Sequence, residues 1–396
     1  MTSARPYVLL ALTCLAACTS GSRVQTEVPL VTLRERALAD SADAIAQYNL
    51  AIGYWSETDF PEARNALLRA VRIDPRFAEA YLALAYLPYA QRPALWQELA
   101  EDNVPSEWSD AIFEADEHYR RAIMINPLVD MRILGAVEPP PHWVWTAGWM
   151  SQTYDAWFRG LHDYRSGNYE AAFGRYDRLI SLLEDEWRRD ARERMPDAIL
   201  LHRGLAAAHL GRWDIAIGDI RILYDRQLSA EEEEEELIHV PLETNHYRYI
   251  LAVMLEGAGQ PVEAEALLRD AVAENLGLYM GHVRLANLAE SRGDGRTALS
   301  ERQLAVNANP EDPTVHLEQG LTFANVGMLP QAIAALETAV SLNPLDPQAH
   351  YFLGVVHAMA QDRASARASL ERFLALAPAR MFNEISDAEA RLASLR

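Results

Sequence analysis

Lysine is missing altogether: all 36 basic residues of the 396-residue chain are arginine. A Schiff-base lysine, the lysine of a phosphate-binding loop and the lysine of a protein-kinase strand are excluded together, since each chemistry needs an amine that a guanidinium does not supply. Cysteine is nearly absent, with only Cys14 and Cys18, both close to the N-terminus. The remaining chain therefore holds no disulfide, thiolate nucleophile or cysteine-ligated metal. Positive charge is also short, 57 acidic against 36 basic residues giving a formal net charge of −21. Neither nucleic acid nor an anionic lipid surface is an expected partner, because both recognise basic patches. No zincin H-E-x-x-H, no G-x-S-x-G elbow and no Gly-rich phosphate loop occurs. No cofactor is expected.

The apolar run Tyr7 to Ala17 follows Arg5 and is too short for the roughly 20 residues of a membrane-spanning helix, so residues 1–17 read as a secretion signal. Leu15-Ala16-Ala17-Cys18 resembles the lipobox of bacterial lipoproteins, in which cleavage before the cysteine exposes a thiol that is acylated. The resemblance implies lipid attachment at Cys18, where two or three palmitate-type chains at about 0.8 kcal/mol per buried methylene would hold the protein on a membrane. Residues 18–43 are read as a polar tether. Thr19 is not the Asp that favours inner-membrane retention in enteric lipoproteins, so a periplasm-facing outer-membrane anchor is expected ahead of an inner-membrane one.

Half of the residues are apolar, which is enough to fill a large core, and the length exceeds that of most single compact domains. Pro310, Pro344 and Pro378 recur every 34 residues. In that register fall Ala271, Ala305 and Ala339, then Ala264, Ala298, Ala332 and Ala366, then Ala252, Ala286, Gly320 and Gly354. Small side chains at fixed positions let two helices approach, while Leu268, Leu336 and Leu370 fill the gaps. Gly259, Gly293 and Gly327 end the first helix of each unit. Four such units occupy 245–380. In this pattern the chain resembles the tetratricopeptide-repeat family, which implies an all-α solenoid of helix-turn-helix units in a right-handed superhelix.

The register extends backwards. Residues 44–128 hold two units, the first with Leu50, Tyr54, Ala63, Leu67, Ala70 and Pro75, the second interrupted by an insertion at 86–105 before Ala115, Tyr119 and Ala122. A Pro- and Trp-rich insertion fills 129–152, degenerate units fill 153–230, and residues 231–244 form an acidic linker containing Glu231 to Glu236. Residues 381–396 are expected to cap the array.

Six of nine tryptophans fall between Trp96 and Trp157. Trp143 and Trp145 are candidate partner anchors, and stapling of the insertion onto the solenoid is the competing role. His282, His316 and His350 share one repeat position and would form a column, read as packing because no carboxylate shares the register; no metal site is assigned. The family resemblance further implies a concave groove lined by the first helix of each unit. In the C-terminal units its lining is Tyr249, Val253, Val283, Asn287, Leu317, Leu321, Tyr351 and Val355. The residue types suit an extended or amphipathic peptide segment more than a carboxylate clamp, which only Arg284 and Asn287 match. The expected function is a membrane-anchored, non-enzymatic scaffold that binds a protein partner and supports a bacterial envelope complex. The alternative is an enzyme with an acid/base pair in the insertions at 86–152, for example Glu138 with His142.

Overall fold

The computed structural model describes residues 29–395 except 93, 96–97, 99–102, 128, 130–158, 166, 188–196, 233–243 and 276. Among these residues all regular structure is helical, and no helix is long and apolar enough to cross a membrane. Consecutive helices pair as antiparallel hairpins, so the all-α repeat reading holds. Cys18, Glu138, His142, Trp143, Trp145 and most of the run Glu231 to Glu236 lie outside the described residues.

The chain divides into two compact units, residues 1–125 with 276–396 and residues 126–275. The second contains three hairpins: Gly160–Arg165 with Tyr169–Trp187, Asp197–His209 with Trp213–Glu232, and Thr244–Gly257 with Pro261–Glu274. Tyr176 is fully buried against Gly160, and the Trp213 ring fills the space beside Gly257. Arg203 crosslinks two hairpins here, reaching Asp219 at 2.7 Å and Asp177 at 2.9 Å.

The first unit has an N-terminal part, hairpins Ala44–Ser56 with Phe60–Ile73 and Ala78–Gln91 with Ser109–Ile125. Its C-terminal part has Tyr279–Ser291 with Gly295–Ala308, Pro313–Asn325 with Leu329–Leu342, Pro347–Met359 with Arg363–Leu376, and a last helix, Phe382–Ser394. The 34-residue register is thus realised in space, and each recurring residue type has a role. Asp312 and Asp346 cap their helices by accepting from the amides of Thr314 and Gln348, both at 2.8 Å, and the following Pro313 and Pro347 sit where a helix has no use for an N–H. A Cβ on Gly354 would lie 2.7 Å from Leu370 Cγ, so the small residue at this position is what lets the two helices of the hairpin touch.

Two differences from the sequence reading stand out. Part of the segment read as a tether is the helix Leu30–Ala39, which buries Leu33 and Ala37 against the first hairpin and accepts from Gln47 Nε2 at Ala37 O, 3.2 Å. Its apolar residues lie on more than one face, Val31 and Leu38 being exposed while Leu33 and Ala37 are buried, and so give little one-sided periodicity. The insertion is also shorter than 86–105 implied, because helix Ala78–Gln91 continues through Pro88 to bury Leu87 and Tyr89.

Candidate partner-binding surface

The face expected to line a groove is built from helices 279–291, 313–325 and 347–359. Several of its apolar residues are covered by the chain itself. Val283 is 3% exposed and packs with Tyr279, Ala305 and Val315, with Met124 of the N-terminal part against the same cluster. Leu317, 2% exposed, belongs to the core with Leu336 and Leu353. Tyr351, half-buried, packs at a tilt against Phe373 and donates its hydroxyl to Asp387 of the last helix at 2.8 Å. That burial and the neighbouring carboxylate push its phenol pKa up. In the second unit Tyr249 is 1% exposed and Val253 half-buried. Tyr249, Val283 and Leu317 therefore offer no surface to a partner in this state, because their apolar area already fills the array. What remains accessible in the first unit is Asn287, exposed, with Leu321, Tyr351 and Val355, half-buried, on three successive first helices.

Beneath Asn287 lies a polar network that periodicity does not reveal. Arg302, 1% exposed, donates to Thr322 Oγ1 at 2.9 Å, the Val283 carbonyl at 3.1 Å and Asn287 Oδ1 at 2.6 Å. Glu318 lies 3.3 Å and Glu290 3.5 Å from the same guanidinium. Burial lowers its pKa and the two glutamates work against that shift, so the charge is held by carboxylates from two adjacent hairpins. Around Asn287 the two glutamates are balanced by Arg302 and by Arg76, which pairs with Glu318, so the accessible surface there is polar and not strongly charged.

A second feature, also unforeseen, joins the two parts of the first unit. Arg121 donates to Asp312 at 2.9 Å and lies 5.0 Å over the Tyr81 ring. Asn343 donates to the Arg72 carbonyl at 2.7 Å, Arg76 pairs with Glu318 at 3.4 Å, and Arg380 donates to Asp43 at 3.2 Å. Burial opposes the Arg121 charge, but Tyr279, Asp312 and Tyr81 outweigh it and its pKa is raised; burial beside Asp312 likewise pushes the Tyr279 phenol up.

The histidine column serves the turns. His316 Nε2 contacts the Pro310 carbonyl at 2.8 Å and His350 Nε2 the Pro344 carbonyl at 3.1 Å. His282 instead meets a carboxylate the register did not show, Glu301 at 2.8 Å, contributed by the second helix of its own hairpin. Among the described residues no group of three or more His, Cys, Asp or Glu side chains is placed to hold a metal ion.

Comparison with known proteins agrees with this geometry. The family model of the tetratricopeptide repeat matches residues 48–92 and 317–380. No curated protein matches the chain. Among solved structures, the C-terminal part of a TPR repeat-containing protein from Cytophaga hutchinsonii is similar at 14% identity and a TM-score of 0.46, over 60% of this chain and 86% of that one. A thermophilic TPR protein from Thermus thermophilus is similar at 22% identity and a TM-score of 0.35, over 50% and 98%. MamA from residue 41 to its end, from Desulfovibrio magneticus, gives 17% identity and a TM-score of 0.36, over 46% and 92%. With its 34-residue register, its stacked hairpins and the matched family model, the chain is a tetratricopeptide-repeat protein.

Proposed function

We propose that this protein is a lipid-tethered scaffold that holds a segment of a protein partner at a bacterial envelope membrane. The tetratricopeptide repeat is a protein-binding fold. The observation that carries the reading is the row Asn287, Leu321 and Val355, which stays accessible on three consecutive hairpins while Val283 and Leu317 beside it are buried. An extended segment laid along that row would meet apolar side chains interrupted by the Asn287 amide, so a segment with alternating apolar and polar residues fits it. The tether rests on Leu15 to Cys18. From Cys18 to the helix that starts at Leu30 the chain can reach at most about 40 Å, so an acylated Cys18 would keep the repeats close to the bilayer. The periplasmic face of the outer membrane is the preferred location, on the identity of Thr19.

The test is fractionation of wild type and Cys18→Ser, with mass spectrometry of the N-terminal peptide. Wild type is expected in the membrane fraction with an acylated Cys18, and the variant is expected soluble or unprocessed. Equal membrane recovery of both proteins would rule the tether out.

A further inference from the structure

The inter-repeat turns of the first unit meet in reverse order. Along the N-terminal part the contacts come from Asp40 and Asp43, then Arg72 and Arg76, then Arg121. Along the C-terminal part their partners run Ala379 and Arg380, then Asn343 with Glu318, then Asp312. Two rows of turns and adjoining helix residues thus face each other, joined by these hydrogen bonds and ion pairs, with Met124 and the Tyr81 and Tyr279 rings adding apolar surface. A contact so rich in polar turn residues resembles an interdomain interface, which opens more readily than an apolar core.

Asp312 and Asp346 are one repeat apart and both cap the helix that follows. Their surroundings across the contact differ. Asp312 is given a guanidinium, Arg121 at 2.9 Å. Asp346, also buried, faces Asp74 and Arg76, and Arg76 is paired with Glu318. Asn343 beside it is engaged with the Arg72 carbonyl. We propose that docking of the N-terminal hairpins on the C-terminal hairpins is a reversible latch set by the protonation of Asp346, tighter when that carboxyl is neutral and looser when it is ionised.

Desolvation is the largest influence on Asp346, and with Asp74 it pushes the carboxyl pKa up to about 6 against the amides of Gln348 and Ala349 and the charge of Arg76. A group whose pKa is raised in the closed state contributes to closure fully below its ordinary value near 4 and loses that contribution as pH rises through 6. Two histidines act with the opposite sign: burial lowers the pKa of His118, beside Tyr81, and of His350, one turn along the helix from Asp346, so both favour the neutral form and lose stability on acidification. The guanidiniums of Arg121, Arg76 and Arg380 keep their charges across this range.

Hydrogen exchange of the full chain at pH 5 and pH 8, corrected for intrinsic rates, tests the latch at segments 72–80 and 343–349. Protection there is expected to fall from pH 5 to pH 8 in wild type, by at most about tenfold because the two histidines act against it. Asp346→Asn keeps a helix-capping oxygen but no titratable charge, and it is expected to show no fall, any remaining change being the rise with pH that the two histidines give. Asp362→Asn, an exposed cap on the second helix of the same hairpin, should behave as wild type. Equal protection at both pH values in wild type, a rise with pH, or a fall that persists undiminished in Asp346→Asn would overturn the proposal.

Discussion

Asn343 Nδ2 donates to the backbone carbonyl of Arg72 at 2.7 Å, so one side chain at a C-terminal turn caps the last turn of a helix 271 positions earlier. Carbonyls in that turn have no intrahelical partner, and a buried acceptor left unsatisfied costs about 1–3 kcal/mol. Asn343→Ala is expected to reduce protection of the amides around residues 72–77 in hydrogen exchange and to leave residues 199–220 unchanged. An equal loss in both regions would mean that Asn343 supports the whole chain and not this contact.

Gln361 occupies the position at which Gly259, Gly293 and Gly327 end their helices, and like them it has positive φ, 63°. A side chain in that conformation costs about 1–2 kcal/mol, partly offset by the greater chain entropy a glycine loses on folding. Gln361→Gly should therefore raise stability by about 0.5–1 kcal/mol, read as a higher urea midpoint at unchanged slope. Thr58, at the equivalent turn of the first hairpin with φ 62°, is β-branched, and its replacement by Gly should gain at least as much.

Arg302 links two hairpins through Asn287, Thr322, Glu290 and Glu318. Arg302→Ala leaves two carboxylates facing each other over a cavity and is expected to cost roughly 2–4 kcal/mol in denaturant unfolding, discounted because both glutamates reach solvent. Arg302→Met keeps most of the volume and should cost clearly less than Arg302→Ala. A neutral Arg302→Ala would show that the network adds nothing to the junction between these hairpins.

The parts of this architecture that repeat were legible in the sequence, and the parts that occur once were not. Ala298, Ala332 and Ala366, all fully buried, could be read because small residues must recur wherever two helices touch. The reversed docking could not, since it is made by Asp, Asn and Arg at turns, the residues that equally mark an ordinary solvated turn. Val283 and Leu317 show the same limit from the other side. An apolar residue on the first-helix face reads alike whether it awaits a partner or is covered by Met124 or Leu336, and only contacts distant in sequence separate the two. His282 was read as packing without a carboxylate because Glu301 stands 19 positions away on the second helix, outside any shared register.

The scaffold reading is tested most directly by photo-crosslinking in cells from single sites on the folded full chain. A benzophenone amino acid at Leu321 or Val355 is expected to give the same discrete protein adduct, lost when Asn287→Arg is added, while the same probe at Val262, 83% exposed on a second helix, gives none. Adducts from Val262 equal to those from Leu321 and Val355, or no adduct from either of those two sites, would contradict the accessible row as the surface that holds a partner.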